Sequence, residues 1–186
     1  MGYRGRVVRT KSYCPATAAV PDEAAAAALA TMKADHGRVF VMSGYPVALY
    51  NYQRAIAAMA ARPNDALAIF VYGTGDGRPA LREAAAADPR LHLYEDRTER
   101  FFNTVLAGAD AMLRITATDS FGIAVADAVS MGVPVLASDV TERFPGARLV
   151  PLAGDAVEQA IDAFPDWSDL PMSGGDAEAL TFRLSG

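Results

Sequence analysis

The sequence predicts an α/β fold: a Rossmann-like parallel sheet, strand order 3-2-1-4-5-6, with helices on both faces. Two observations carry that expectation. Short apolar runs alternate with helix-forming segments from Arg38 to Phe164, six of each at most, and such alternation means a parallel sheet covered on both sides. The segments leaving several of those runs carry glycine, serine and aspartate, at the strand ends where open parallel sheets bind ligands.

Each element has its own signal. Met1 to Pro21 is irregular and basic, broken by Pro15 and Pro21, and precedes a domain over residues 22–167; it is either an ordinary disordered N-terminus or a linker-like segment. Asp22 can cap an alanine-rich helix running to about Lys33. His36 then falls in a loop, where a histidine is ordinarily solvated. RVFVMS, Arg38 to Ser43, is a buried strand that ends at Gly44-Tyr45-Pro46. Gly44 there is either a turn glycine or a place where a ligand comes close. Val47 to Arg62 reads as one helix, with Leu49, Ile56 and Met59 in the core, Tyr50 and Tyr52 packing or at the rim, and Pro63 as its stop. ALAIFVY, Ala66 to Tyr72, is a second buried strand. The GTGDG that follows, Gly73 to Gly77, lacks the third glycine of a dinucleotide fingerprint. Arg78 to Ala87 is helical, with Pro79 where its missing N–H costs little. Leu91 to Tyr94 is a third strand, in which His92 is packed or at the surface. Thr98 caps a helix to about Ala107 that buries Phe101, Phe102, Val105 and Leu106. Near the end come a strand from Arg148 to Leu152 and a helix from Asp155 to Phe164. Trp167 packs the following segment onto the body, and residues 168–186 form a weakly periodic tail.

The stretch with most chemistry is AMLRITATDSFGIAVADAVSMGVPVLASDV, Ala111 to Val140. Ala111 to Ile115 reads as a strand, Thr116 to Ser120 as a loop, Phe121 to Met131 as a helix ended by Gly132 and Pro134, and Val133 to Ala137 as the next strand. Asp119 and Ser120 stand where the helix needs a cap. Gly122 has no side chain to keep a ligand from the first helical N–H groups. Asp127 follows Asp119 by eight residues, which on a helix puts both carboxylates near one face. One would meet a sugar and the other a ribose, across a phosphate at the helix start; the alternative is a capping Asp119 and a solvated Asp127.

Composition bounds the function. The 186 residues make one domain with room for a sizeable core. A net charge of −5 argues against nucleic acid as the main partner. The single Cys14 excludes an internal disulfide framework. No apolar run approaches the length of a membrane span and no signal peptide is evident, so a cytoplasmic location is expected.

DSFGIAVADAVSMGVPVLASD resembles the Glu-x7-Glu signature of GT-B glycosyltransferases of the GT4 type, ExFGxxxxEAxxxGxPVxAS. Phe121, Gly122, Ala128, Gly132, Pro134, Val135, Ala137 and Ser138 match in register, while Asp119 and Asp127 replace the usual glutamates. LRITATD is similar to a polysaccharide-biosynthesis branch in which an Arg-Pro-Thr strand end leads to an aspartate. YCPATAAVPDE resembles the linker entering the second GT-B domain, and FVYGTGDGRPALREA its Gly-Asp-Gly-Pro turn. The resemblance, spanning about Tyr13 to Phe164, implies the C-terminal, donor-binding half of a retaining glycosyltransferase. That enzyme would transfer a hexosyl-type sugar from a nucleotide diphosphate to a glycan or lipid-linked acceptor, without metal or separate cofactor. In that picture Asp119 holds a sugar hydroxyl and Asp127 the ribose. Ser120, Phe121 and Gly122 meet the diphosphate, with Gly44 and Gly73 on the same strand-end edge. Arg114 and Arg54 are the candidate cations for the departing phosphate, since the family's lysine clamp after the first strand is absent. An N-terminal acceptor domain or partner subunit would complete the enzyme. Two other classes remain open: a non-catalytic interaction domain that keeps the fold, and another Rossmann-type nucleotide-binding enzyme.

Overall fold

The computed structural model describes residues 20–174. The linker-like resemblance around Tyr13 to Ala19, and the tail beyond Gly174, lie outside those residues. Six parallel strands form one sheet: β1 (Val39–Gly44), β2 (Ala66–Val71), β3 (Leu91–Glu95), β4 (Ala111–Arg114), β5 (Val135–Ser138) and β6 (Arg148–Val150), in the order β3-β2-β1-β4-β5-β6. The expected order is the observed one. Six α-helices accompany them: α1 (Glu23–Asp35), α2 (Tyr52–Ala58), α3 (Arg78–Ala87), α4 (Glu99–Ala107), α5 (Ile123–Ser130) and α6 (Ala156–Ala163).

Side-chain alternation along the strands builds two cores. Phe40, Met42, Leu67, Ile69 and Leu113 face a layer containing α2, α3 and α6. Val39, Val41, Ala68, Phe70 and Met112 face a layer containing α1, α4 and α5. β2 is buried at all six positions, which is why it reads as a continuous apolar run rather than an alternating one. The caps foreseen at Asp22 and Thr98 form, accepting from the amides of Ala25 at 3.0 Å and Phe101 at 3.2 Å. The four apolar residues expected of α4 are buried, and Trp167 is buried with its indole N–H donating to the Ala160 carbonyl.

Two stretches depart from expectation. The helix expected over Val47 to Arg62 is divided: a 3₁₀ turn at Ala48–Tyr50, Asn51 in the left-handed region at φ 50°, then α2 and a closing 3₁₀ turn at Met59–Ala61. Tertiary bonds cause the break. Asn51 donates its side-chain amide to the Ile115 carbonyl at 2.9 Å, and Ala117 N–H donates to the Leu49 carbonyl at 2.8 Å. The segment is therefore tied to the loop after β4, and Leu49, expected in the core, is 36% exposed. The second departure is the start of α5. Helical structure begins at Ile123, and its N-cap is Gly122, with no side-chain cap bond. Asp119 and Ser120 do not cap it, and Asp119 does not share a helix face with Asp127, because it lies in the preceding loop.

Candidate functional site

The carboxyl ends of β1, β4 and β5 meet at one edge of the sheet, and the sequence-predicted residues gather there. Asp119 is the centre of an ion-pair cluster. Its Oδ2 accepts from Arg114 Nε at 2.8 Å and from Arg143 Nη1 at 2.5 Å, while its Oδ1 accepts from the Ser120 amide at 2.9 Å. Burial pushes the carboxyl's pKa up, but the hydrogen bonds and charges of the two arginines more than reverse that, leaving it at about 2. It is ionised at any physiological pH.

Arg114 leaves the end of β4 with its guanidinium held on three sides. Besides Asp119, it donates from Nη1 to the Ser43 carbonyl at 2.9 Å and lies 5.0 Å from the Tyr50 ring centroid. Arg143, on the loop after β5, is wholly buried and also donates to Thr116 Oγ1 and to Ser138. Sequence inspection offers no local signal for Arg143. A lone arginine in a polar loop is ordinarily solvated, and its partner lies 24 residues away.

Gly122 explains itself here. At φ 71° it takes a conformation that L side chains rarely adopt, and a Cβ would lie 3.0 Å from Arg143 Nη1 and 3.3 Å from Asp119 Oδ2. The start of α5 thus rests directly on the ion pairs. Its first amides, those of Ile123 and Ala124, have no acceptor within the helix, so they and the guanidiniums make a positive corner. Ser120 is exposed beside it and accepts from Thr141 Oγ1 at 3.1 Å; Phe121 packs edge-on to Phe144. Asp127 is buried on α5.

The remaining candidates are distributed along the same edge. Gly44 lacks a side chain because the Tyr50 ring lies over it: an added Cβ would fall within 1.9 Å of Tyr50 Cε1. Tyr50 stacks on Tyr52 and lies near Tyr45. Gly73 is closed onto its neighbours, donating to Asp96 Oδ1 at 2.9 Å and accepting from Arg78. Arg54 is committed elsewhere, with two hydrogen bonds to Glu158 and two to the carbonyls of Leu152 and Gly154. Of the two candidate cations, only Arg114 belongs to the Asp119 cluster. The rim is apolar: Tyr45, Leu49, Ile123 and Val140 are exposed on segments that follow β1, β4 and β5. Among the described residues no cluster of three or more His, Cys, Asp or Glu is placed to hold a metal ion, and no helix is long and apolar enough to cross a membrane.

Comparison with known families decides the kinship. The model of the family "Glycosyl transferases group 1" matches residues 37–164, from just before β1 to just after α6. The chain belongs to that family. Solved structures agree on the fold. The Anabaena protein HepE, solved with UDP and glucose, superposes with a TM-score of 0.60 at 16% identity, covering 76% of this chain and 42% of that one. Sucrose-phosphate synthase from Thermosynechococcus elongatus gives 0.59 at 21% identity, covering 83% and 41%. WaaG, a glycosyltransferase involved in lipopolysaccharide biosynthesis, gives 0.53 at 18% identity, covering 75% and 42%. The chain therefore spans about two fifths of each of these structures. No curated protein matches it.

Proposed function

We propose that this chain is the donor-binding domain of a retaining glycosyltransferase, which transfers a hexosyl-type sugar from a nucleotide diphosphate to a glycan or lipid-linked acceptor in polysaccharide biosynthesis. The observation that carries the proposal is the position of the DSFG…GVPVLASD segment, which lies within the residues that the family's model matches. It ends at the sheet edge where the positive corner of Arg114, Arg143 and the α5 amides is built. An anionic diphosphate suits that corner, because helix N-termini and guanidiniums both favour phosphate. HepE, of the same fold, was solved with UDP and glucose.

In this proposal the diphosphate meets the backbone of Ser120, Phe121 and Gly122, and Asp127 accepts from the ribose hydroxyls. Arg114 faces the charge that develops on the departing phosphate; electrostatic stabilisation of that kind is usually the largest catalytic contribution. The chain needs no metal or separate cofactor, works in the cytoplasm, and receives its acceptor from an N-terminal GT-B domain or partner subunit.

Calorimetric titration with UDP, GDP and their glucose conjugates, without metal, tests the proposal, with NAD as the control. One nucleotide diphosphate is expected to bind saturably, and Asp127→Ala to weaken it about tenfold, the loss of one charge-assisted hydrogen bond or so. A folded chain that binds neither nucleotide would rule the donor domain out and favour a non-catalytic interaction domain.

A further inference from the structure

We infer that Asp119 is a positioning residue that orients Arg114 toward the diphosphate, with Arg143 as its buried lock, and does not hold the donor's sugar. The inference rests on the donor-domain proposal and departs from the role that the family resemblance implies for Asp119.

Oδ2 of Asp119 is already in use, and Oδ1 in part. A carboxylate offers about four lone-pair sites. Oδ2 takes Arg114 Nε and Arg143 Nη1, with Thr116 Oγ1 at 3.5 Å, and Oδ1 takes the Ser120 amide. The side chain is 8% exposed. A sugar hydroxyl could reach Oδ2 only by displacing a guanidinium, at the cost of an uncompensated buried charge, and the lone pair left on Oδ1 belongs to that same nearly buried side chain. The cluster is instead built to hold cations still. Arg143 has no exposed side-chain surface, and every acceptor it uses lies on the β4–β5 edge: Asp119, Thr116 and Ser138. It fixes Asp119 from behind, and Asp119 in turn fixes the Nε side of Arg114. Arg114's Nη1 is fixed by Ser43.

The charge count points the same way. Arg114, Arg143 and Asp119 together carry two positive charges and one negative. The Arg143–Asp119 pair lies against Gly122, where the amides of α5 begin. The guanidinium of Arg114 and the first amides of α5 both favour an anion. The shorter aspartate fits this role, since it brings both guanidiniums onto a single oxygen within the loop.

The test compares inorganic pyrophosphate, UDP, GDP and the glucose conjugate of each, by calorimetry, on the unmodified chain, Asp119→Asn and Arg143→Lys. Thermal unfolding and circular dichroism confirm folding. Asp119→Asn is expected to weaken pyrophosphate, the bound nucleotide and its glucose conjugate by a common factor of about tenfold. Arg143→Lys, which keeps the charge but loses the fork, is expected to weaken all of them several-fold, although Arg143 itself is shielded from solvent. A sugar contact would give a different pattern: pyrophosphate and nucleotide unchanged or tighter in Asp119→Asn, and only the conjugate weakened. That pattern overturns the inference and leaves the donor domain standing. Should Asp119→Asn not fold, Arg143→Lys decides: a shared loss supports the inference, and unchanged pyrophosphate and nucleotide binding refutes it. An unmodified chain that binds none of these ligands overturns the donor-domain proposal, and this inference with it.

Discussion

The hydroxyl of Tyr52 is buried without a hydrogen-bond partner among the described residues, stacked against the Tyr50 ring and close to Arg114. Burial, reinforced by Tyr50, pushes its pKa far above the usual phenol range, so it stays neutral. An unsatisfied buried hydroxyl costs on the order of 1–3 kcal/mol. Tyr52→Phe keeps the ring and removes the orphan, and is expected to raise stability by about 1 kcal/mol in chemical denaturation. A loss of stability would mean that the hydroxyl has a partner in solution. At this scale the sequence was informative about which residues matter and silent about how they pair. Asp119, Arg114, Ser120 and Gly122 could be picked from one short motif. The roles of Arg143 and Tyr50 could not, because Arg143 meets Asp119 across 24 residues of chain and Tyr50 acts through a ring laid over a glycine.

Elements were legible wherever a local pattern decided them. β1 and β2 are apolar at nearly every position, and the capped α1 and α4 and the proline-started α3 follow propensity. The expected single helix after β1 failed because a tertiary bond outweighs propensity there. Asn51 has the left-handed conformation that asparagine tolerates better than most residues, and its amide holds the Ile115 carbonyl at the exit of β4. Two substitutions separate these effects. Asn51→Gly keeps the backbone conformation and loses the bond, and is expected to cost about 1 kcal/mol. Asn51→Ala loses both, and is expected to cost about 1 kcal/mol more. Equal losses by thermal unfolding would show that the backbone conformation carries no weight. The same bond matters for the site, since it sets the 3₁₀ turn that carries Tyr50 over Gly44 and against Arg114.

Across the whole molecule, alternation predicted the parallel sheet, and the observed strand order is that of the most economical Rossmann-like arrangement. What alternation could not supply is how the sheet's middle is fastened to its edge. Arg54 does this. It stands on α2, which follows the central β1, and binds Glu158 on α6, which follows the edge strand β6. Its other donors hold the carbonyls of Leu152 and Gly154, where the chain turns into α6. The hydrogen bond to Glu158 is the main cause raising the pKa of Arg54, and the same bond lowers that of Glu158. A cation so engaged serves the fold rather than a phosphate. Glu158, with its pKa depressed on folding, contributes stability that is present above its ordinary value of 4.5 and fades as pH falls below it. Both groups are partly exposed, so the pair is worth about 1 kcal/mol at most. A double-mutant cycle with Arg54→Met and Glu158→Gln, followed by urea denaturation at pH 7, is expected to return a coupling near that value. The same cycle at pH 3 should return a smaller coupling, because below its ordinary pKa Glu158 must give up a proton on folding to keep the pair. Zero coupling at pH 7 would free Arg54 from this duty and restore it as a candidate for the phosphate.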